Sequence, residues 1–247
     1  MAINIDSVYK SVLVVLEQQK RGILTPTEFN KIATTCQQEI FTEYFDELNQ
    51  LLRTPQTSLA YADRMALLDE KISLFKTAKT LTLGDNTITP AAALSTVAVP
   101  SDVQELGSVI FGTGVTTPSR EAQRIQQYEI YTTNQSPLTA PSTYYPVYTY
   151  ENKLITIYPK ETSANSGKVV LNYLKFPADV RWGFTINQNL GNYIYNSLDS
   201  IDFDLHQSDT PLLISKILGY AGVMTKDQAV MTLGSQKEQT INVNSKQ

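Results

Sequence analysis

The chain has 247 residues, a net charge of -4 and a single cysteine. This length is enough to bury a sizeable core in one large or two small domains. The acidic balance without Lys/Arg blocks argues against a nucleic-acid-binding surface, and one cysteine excludes an intrachain disulfide or a cysteine metal cluster. No signal-peptide pattern and no membrane-length apolar run occurs, so we expect a soluble protein made and kept in a cytosol-like compartment.

Three amphipathic helices are predicted at the start of the chain. The first covers residues 6–19, with Asp6 as its N-cap. The second begins at the sequence TPTE, where Thr25 and Glu28 have the spacing of a capping box, and it ends before Pro55. The third covers residues 58–76. The second helix carries the clearest apolar stripe, which recurs every three or four residues: Phe29, Ile32, Ala33, Cys36, Ile40, Tyr44, Leu48 and Leu51.

Strand patterns dominate the middle of the chain, and helical patterns return near its end. The predicted middle elements are a hairpin around residues 84–86, strands at 97–99 and 108–111, a short helix at 119–127, a meander over 147–158 and 168–175, and strands at 193–196 and 200–205. The predicted final elements are helices at 210–222 and 227–236, followed by a polar tail from 238 to 247 that we expect to be loose.

These elements predict an α+β fold, a helical bundle formed by N- and C-terminal helices with an inserted antiparallel β-rich domain. The predicted divisions are residues 1–79 for the N-terminal bundle and 80–205 for the β-rich insert. Residues 206–247 are predicted to return to the bundle and to end in a flexible docking tail.

Few residues are candidates for chemistry. His206 is the only histidine and lies at a predicted strand–helix junction, where an exposed position is expected. Cys36 lies on the apolar stripe and is expected to be a buried thiol. Phosphate-binding, zinc-protease and nucleophile-elbow motifs are absent. We therefore expect no catalytic residue, no cofactor and no metal site.

Two further groups leave alternatives open. Four aspartates, Asp199, Asp202, Asp204 and Asp209, are spaced so that two or three could meet a cation or form an acid/base pair. The predicted alternation places Asp202 and Asp204 on a solvent face instead. The tyrosines of residues 142–177 could form a sugar-binding platform, but alternate strand residues point to opposite faces, so packing of a sheet is expected for at least half of them.

Several segments, in this order and spacing, carry a resemblance to a known family. They are RGILTPTEFNKIATTCQQEIFTEYFDELNQLLR (21–53), VPSDVQEL (99–106), YPVYTYENKLITIYP (145–159), VVLNYLKFPADVRWGF (169–184) and SIDFDLHQSDTPLLISKILGYAGVMTKDQAV (200–230). The chain resembles head-to-tail connector proteins of short-tailed bacteriophages, the adaptor or ring proteins beneath the portal. The resemblance is closest to the ring proteins of crAss-like and related podophages.

The resemblance implies a non-enzymatic virion protein in the phage neck that connects the portal to the tail and lines the DNA channel. Its copies would form a closed ring, a dodecamer of about twelve copies. The implied partners are other copies of the chain, the portal protein and other neck or tail rings. Genomic DNA would pass without specific binding, because an acidic wall repels phosphates. No membrane is implied.

The polar tail is the predicted docking element. Ile241 and Val243 share one face if the tail is extended, which suits an added strand on a sheet of a neighbouring ring. Three alternatives remain. The chain is a tail-tube or stopper ring, or a glycan-binding module that uses Tyr144, Tyr145, Tyr148 and Tyr150, or a hydrolase that uses Asp202 and Asp204.

Overall fold

The computed structural model describes residues 3–16, 24–53, 59–82, 96–112, 119–159, 168–187, 191–225 and 228–246. The chain divides into a helical unit, Met1–Leu74 with Pro177–Gln247, and a β unit, Phe75–Phe176. This arrangement confirms the predicted α+β class with a β-rich insert. The insert returns to the helical unit at residue 177, whereas the predicted insert extended to residue 205.

Within the described residues, helices come first along the chain, then strands that one helix interrupts, and then helices again. The elements are α1 (Ile5–Val15), α2 (Pro26–Arg53), α3 (Leu59–Ser73), β1 (Lys76–Thr82), β2 (Thr96–Ala98), β3 (Val103–Phe111), β4 (Arg120–Glu121), β5 (Gln123–Arg124), α4 (Gln127–Gln135), β6 (Val147–Glu151), β7 (Leu154–Tyr158), β8 (Lys168–Lys175), β9 (Phe184–Ile186), β10 (Tyr193–Tyr195), α5 (Thr210–Thr225) and α6 (Gln228–Lys246).

Local hydrogen bonds explain where the first two helices begin. At α2 the Thr25 N–H donates to Glu28 Oε2 at 2.9 Å and the Glu28 N–H donates to Thr25 Oγ1 at 3.3 Å. This is the predicted capping box, and it satisfies two backbone donors that the helix itself leaves free. At α1 the N-cap is Asn4, not Asp6, because the Asn4 side chain accepts the Ser7 N–H at 3.0 Å.

The helical unit is built around the apolar stripe of α2. Phe29, Ile40 and Tyr44 are all buried, as the stripe predicts. Helix α5 packs against α1, α2 and α6, and α3 packs against α2. The largest fully buried side chains of the unit are Ile5, Phe29, Ile40, Phe41, Phe203, Leu205 and Leu213.

The β unit contains two four-stranded sheets. The first has the strand order β1-β8-β3-β4 with antiparallel pairs throughout. The second has the order β2-β7-β6-β5, in which β5 pairs with β6 in parallel and the other pairs are antiparallel. Both sheets contribute to one core of Val97, Val99, Val109, Phe111, Ala122, Tyr148, Ile155, Ile157, Val169, Leu171 and Tyr173.

Several predicted elements differ from the structure. The helix predicted over 119–127 is instead the short strands β4 and β5, followed by α4. Two-residue strands depend on partners elsewhere in the chain, which local patterns do not reveal. The strand predicted at 200–205 is replaced by isolated bridges from Ile201 to Arg181 and from Phe203 to Ile3. The hairpin predicted around residues 84–86 lies outside the described residues.

The end of the chain is the largest difference. Helix α5 continues past Gly222 to Thr225, and α6 continues to Lys246, so the tail predicted to be loose is helical. The helix predicted over 227–236 forms the first half of α6, and the segment from 238 onwards continues it. The polar composition misled the prediction because the contacts that hold this segment come from α5.

Candidate functional site

Helix α5 is unusually poor in charge. Its sixteen residues, TPLLISKILGYAGVMT, contain a single charged side chain, Lys216. A helix that is apolar nearly all round is normally enclosed by other elements. The side chain of Lys216 is only 7% exposed, so its charge requires partners within the protein. This lone charge was a signal that the sequence analysis missed.

Three glutamates from two helices surround the Lys216 ammonium. Its Nζ lies 2.8 Å from Glu238 of α6, 2.9 Å from Glu43 of α2 and 3.6 Å from Glu39 of α2. Burial alone would lower the pKa of Lys216, but hydrogen bonds to Glu238 and Glu43 outweigh burial and raise it. The ammonium therefore stays charged and joins α2, α5 and α6 at one point. We call these four residues the Lys216 cluster.

Glycines allow α6 to lie very close to α5. A methyl group on Gly234 would stand 2.7 Å from the Gly219 nitrogen and 2.8 Å from the Gly219 Cα. A methyl group on Gly222 would stand 2.6 Å from the Met231 nitrogen. No Cβ atom fits at such distances from backbone, so both glycines are required for this approach of the two helices.

The C-terminal part of α5 also has an exposed apolar face. Tyr220, Val223 and Met224 are 40%, 55% and 50% exposed, and their spacing places them on one side of the helix. The Tyr220 hydroxyl donates a hydrogen bond to Glu39, and this bond raises the pKa of Tyr220 to about 12. We call these three residues the α5 face. Contiguous exposed apolar side chains are typical of interaction sites.

Cys36 and His206, the two residues considered first for catalysis, both lie in surroundings that fit a structural role. The Cys36 thiol is buried, and burial raises its pKa, which opposes formation of the reactive thiolate. His206 is half-buried at the N-cap of a 3-10 turn, where Nδ1 accepts the Ser208 N–H at 3.3 Å. Its Nε2 lies 3.8 Å from Glu70. Neither arrangement supplies a nucleophile with an adjacent base.

The four aspartates serve different backbone and side-chain partners. Asp202 accepts the Ile5 N–H at 2.9 Å, Asp204 accepts the Ala178 N–H at 3.4 Å, and Asp199 accepts the Asn196 amide at 2.8 Å. Asp209 is buried with Lys71 Nζ at 2.7 Å and the Tyr44 hydroxyl at 2.5 Å. Among the described residues, no three His, Cys, Asp or Glu side chains are arranged to hold a metal ion.

The tyrosines of the possible glycan platform do not share one surface. Tyr148 is buried in the β-unit core, and Tyr150 packs partly against that core. Tyr144 and Tyr145 are exposed. The guanidinium of Arg120 lies 5.9 Å from the centre of the Tyr144 ring, and that of Arg124 lies 5.7 Å from the Tyr150 ring.

The predicted docking residues lie in α6. Ile241 is half-buried, and the side chain of Val243 is outside the described part of the chain. In a helix, residues two apart are separated by about 200° around the axis, so the shared face argued for an extended tail does not form here. A docking role for Ile241 and Val243 stays a prediction, now for a helix rather than for an added strand.

No family model matches the chain, and a search of curated proteins found no significant match. Among the described helices, none combines the length and the apolar character needed to cross a lipid bilayer.

Proposed function

We propose that this chain is a structural ring protein of a bacteriophage neck, which joins the portal to the tail and surrounds the passing DNA. The proposal starts from the resemblance of the ordered segments to connector proteins of short-tailed phages. In it, copies of the chain associate into a closed ring of about twelve. The protein has no enzymatic role and resides in the virion after synthesis in the host cytoplasm.

The observation that carries the proposal is the exposed α5 face. Helix α5 is buried on the sides that meet α1, α2 and α6, and its remaining surface is still apolar. A second copy of the chain is the occupant that a ring supplies at every such surface, because each subunit in a ring has two neighbours. Methionine at position 224 suits such a contact, since its flexible side chain adapts to a partner surface.

The rigid framework beside this face also supports a mechanical role. The Lys216 cluster ties α5 to α2 and α6, and Tyr220 of the α5 face is hydrogen-bonded to Glu39 of the same cluster. The face is therefore held in one orientation before it meets a partner, which reduces the entropy lost on association.

A paired substitution tests the proposal. Val223→Asp places a charge on the α5 face, and Leu138→Asp makes the same change at a 97% exposed residue of the β unit. Native mass spectrometry and negative-stain imaging, each with and without added portal rings, measure the assembly state of the chain. We expect the parent chain and Leu138→Asp to form closed rings of their own subunits. We expect monomers from Val223→Asp, because a buried unpaired charge opposes assembly. Rings from Val223→Asp in normal yield would contradict the role of the α5 face.

A further inference from the structure

A cleft in the β unit lies between α4 and the second sheet. It has a volume of about 490 Å³, and its lining includes Gln127, Tyr131, Asn134, Glu151 and Tyr158 together with two threonines of the sheet. This volume falls within the roughly 300–1,000 Å³ of small-molecule sites. We call it the α4 cleft. It is separate from the α5 face, which belongs to the helical unit.

Strand alternation determines which side chains form the floor of the α4 cleft. Tyr148, Ile155 and Ile157 point into the β-unit core. Their neighbours Thr149 and Thr156 therefore point to the opposite face of the sheet, and these two threonines are directly paired across β6 and β7. The floor of the cleft thus carries two adjacent threonine side chains.

Several polar side chains of the cleft are not engaged in hydrogen bonds or ion pairs with described residues. Thr149 is only 6% exposed as a residue, but its hydroxyl is not a buried unpaired atom, so the accessible part of its side chain faces the cleft. The Thr156 hydroxyl, the amides of Gln127 and Asn134 and the Glu151 carboxylate make no hydrogen bond or ion pair with described residues. Solvent-facing polar groups of this kind bond water, and a ligand with several hydroxyl groups can replace that water when it enters the cleft.

Two aromatic rings accompany these polar groups. Tyr131 of α4 and Tyr158 of β7 both line the cleft. Tyr158 is close enough to Glu151 and Tyr131 for both to contribute to its raised pKa, after burial as the main cause. Tyrosine rings provide an apolar surface beside a polar group. Amides and carboxylates provide donors and acceptors in pairs, which match neighbouring hydroxyls.

We propose that the α4 cleft binds a neutral saccharide. A pyranose ring has one face of C–H groups, which packs on a tyrosine ring, and a rim of hydroxyls, which bond to amides, carboxylate and threonines. The carboxylate of Glu151 disfavours acidic sugars, because two negative charges repel in a partly enclosed site. This activity is independent of ring formation and would give the neck protein contact with a polysaccharide.

Glycan binding by the purified full-length chain tests the proposal. The probe is an array of neutral gluco-, galacto- and mannooligosaccharides with uronic-acid and sialylated counterparts. The best member is then titrated by isothermal calorimetry. We expect binding to neutral members only. We expect Tyr131→Ala and Thr156→Val each to weaken the affinity at least tenfold, because the first removes the stacking surface and the second a floor hydroxyl.

The matched control is Tyr128→Ala. Tyr128 lies on the same helix and is 75% exposed, compared with 73% for Tyr131, but it does not line the cleft. We expect the Tyr128→Ala variant to bind the saccharide with the same affinity as the parent chain. No binding to any neutral member, preference for acidic members, or equal loss in Tyr128→Ala and Tyr131→Ala would each overturn the proposal. Ring assembly is measured separately by imaging, so failure here is distinguishable from failure of the neck role.

Discussion

Lys216 is the residue on which the arrangement of the C-terminal helices depends most. Lys216→Met keeps most of the aliphatic stem but removes the ammonium, leaving Glu39, Glu43 and Glu238 facing one another. Loss of one partner of a fully buried ion pair costs about 3–5 kcal/mol. Because these glutamates are 32–43% exposed, water screens them, and we expect a loss of about 1–3 kcal/mol in the free energy of unfolding.

Chemical denaturation at pH 7 measures this loss, and Lys10→Met provides the control. Lys10 pairs with Asp6 on the surface of α1 and is 67% exposed, so its removal should cost at most about 0.5 kcal/mol. The raised pKa of Lys216 means that its contribution is complete below about pH 10 and is lost as pH rises through the folded-state value. Equal effects of the two substitutions would show that the Lys216 cluster is not a structural junction.

Glu28 is expected to make the free energy of unfolding depend on pH in the acidic range. Hydrogen bonds from the Thr25 backbone and hydroxyl hold the pKa of Glu28 below its ordinary value. A lowered pKa adds stability above the unfolded-state value near about 4.3, and this stability is lost as pH falls through the folded-state value. We therefore expect the stability difference between the parent chain and Glu28→Gln to be larger at pH 7 than at pH 3. A difference that is the same at both pH values would contradict the ionised capping box.

The α5–α6 pair is the element whose packing is most sensitive to one methyl group. Gly234→Ala places a Cβ against the backbone of Gly219, which cannot move as a flexible side chain would. We expect α6 to be displaced from α5, with a loss of about 1–3 kcal/mol on unfolding, typical of overpacking. Denaturation and hydrogen exchange along α6 measure the two effects.

Gly219→Ala is the matched control, because it makes the same change in the facing helix. A Cβ at Gly219 meets nothing within 4 Å. Alanine is favoured over glycine in a helix by about 0.5–1 kcal/mol, so we expect this variant to equal or exceed the parent chain in stability. A stable Gly234→Ala variant with an undisturbed α6 would show that the helices are farther apart than described.

Elements with local signals were predicted well, and elements that depend on distant partners were not. The capping box of α2 is contained within four residues, and the apolar stripe of the same helix repeats along its own sequence. The first half of α6 agrees with the helix predicted over 227–236, but its second half has neither signal, because its Gln, Asn, Ser and Lys residues resemble a linker. The stability of α6 comes from the close approach of Gly234 to α5 and from the bond of Glu238 to Lys216, which no local pattern contains.

At the scale of the molecule, the predicted docking role of the chain end is testable without loss of the fold. Deleting residues 235–247 removes Glu238 and so disrupts the Lys216 cluster, which would mix docking with folding. Deleting residues 241–247 keeps Glu238 and Gly234. We expect this shorter chain to remain folded by circular dichroism but to lose capture by portal rings. Capture with unchanged affinity would exclude a docking role for Ile241 and Val243.

The candidate sites were only partly accessible from the sequence. The tyrosine-rich stretch pointed to the β unit, but it emphasised Tyr148, which lies in the core, rather than Tyr131, which lines the α4 cleft. The α5 face was not predicted, because the helix was predicted to end at residue 222, whereas α5 continues through Val223 and Met224. Which side of an apolar helix remains exposed depends on tertiary packing, and the sequence of the helix alone does not contain that information.

The central claim, that this chain forms a ring in the neck of a phage, is tested most directly by electron cryo-microscopy of virions that contain it. We expect density for both units of the chain in a closed ring of about twelve copies on the particle axis, between the portal and the tail. The α5 face should lie at a contact between subunits. A chain found off the axis, in isolated copies, or missing from purified virions would contradict the account.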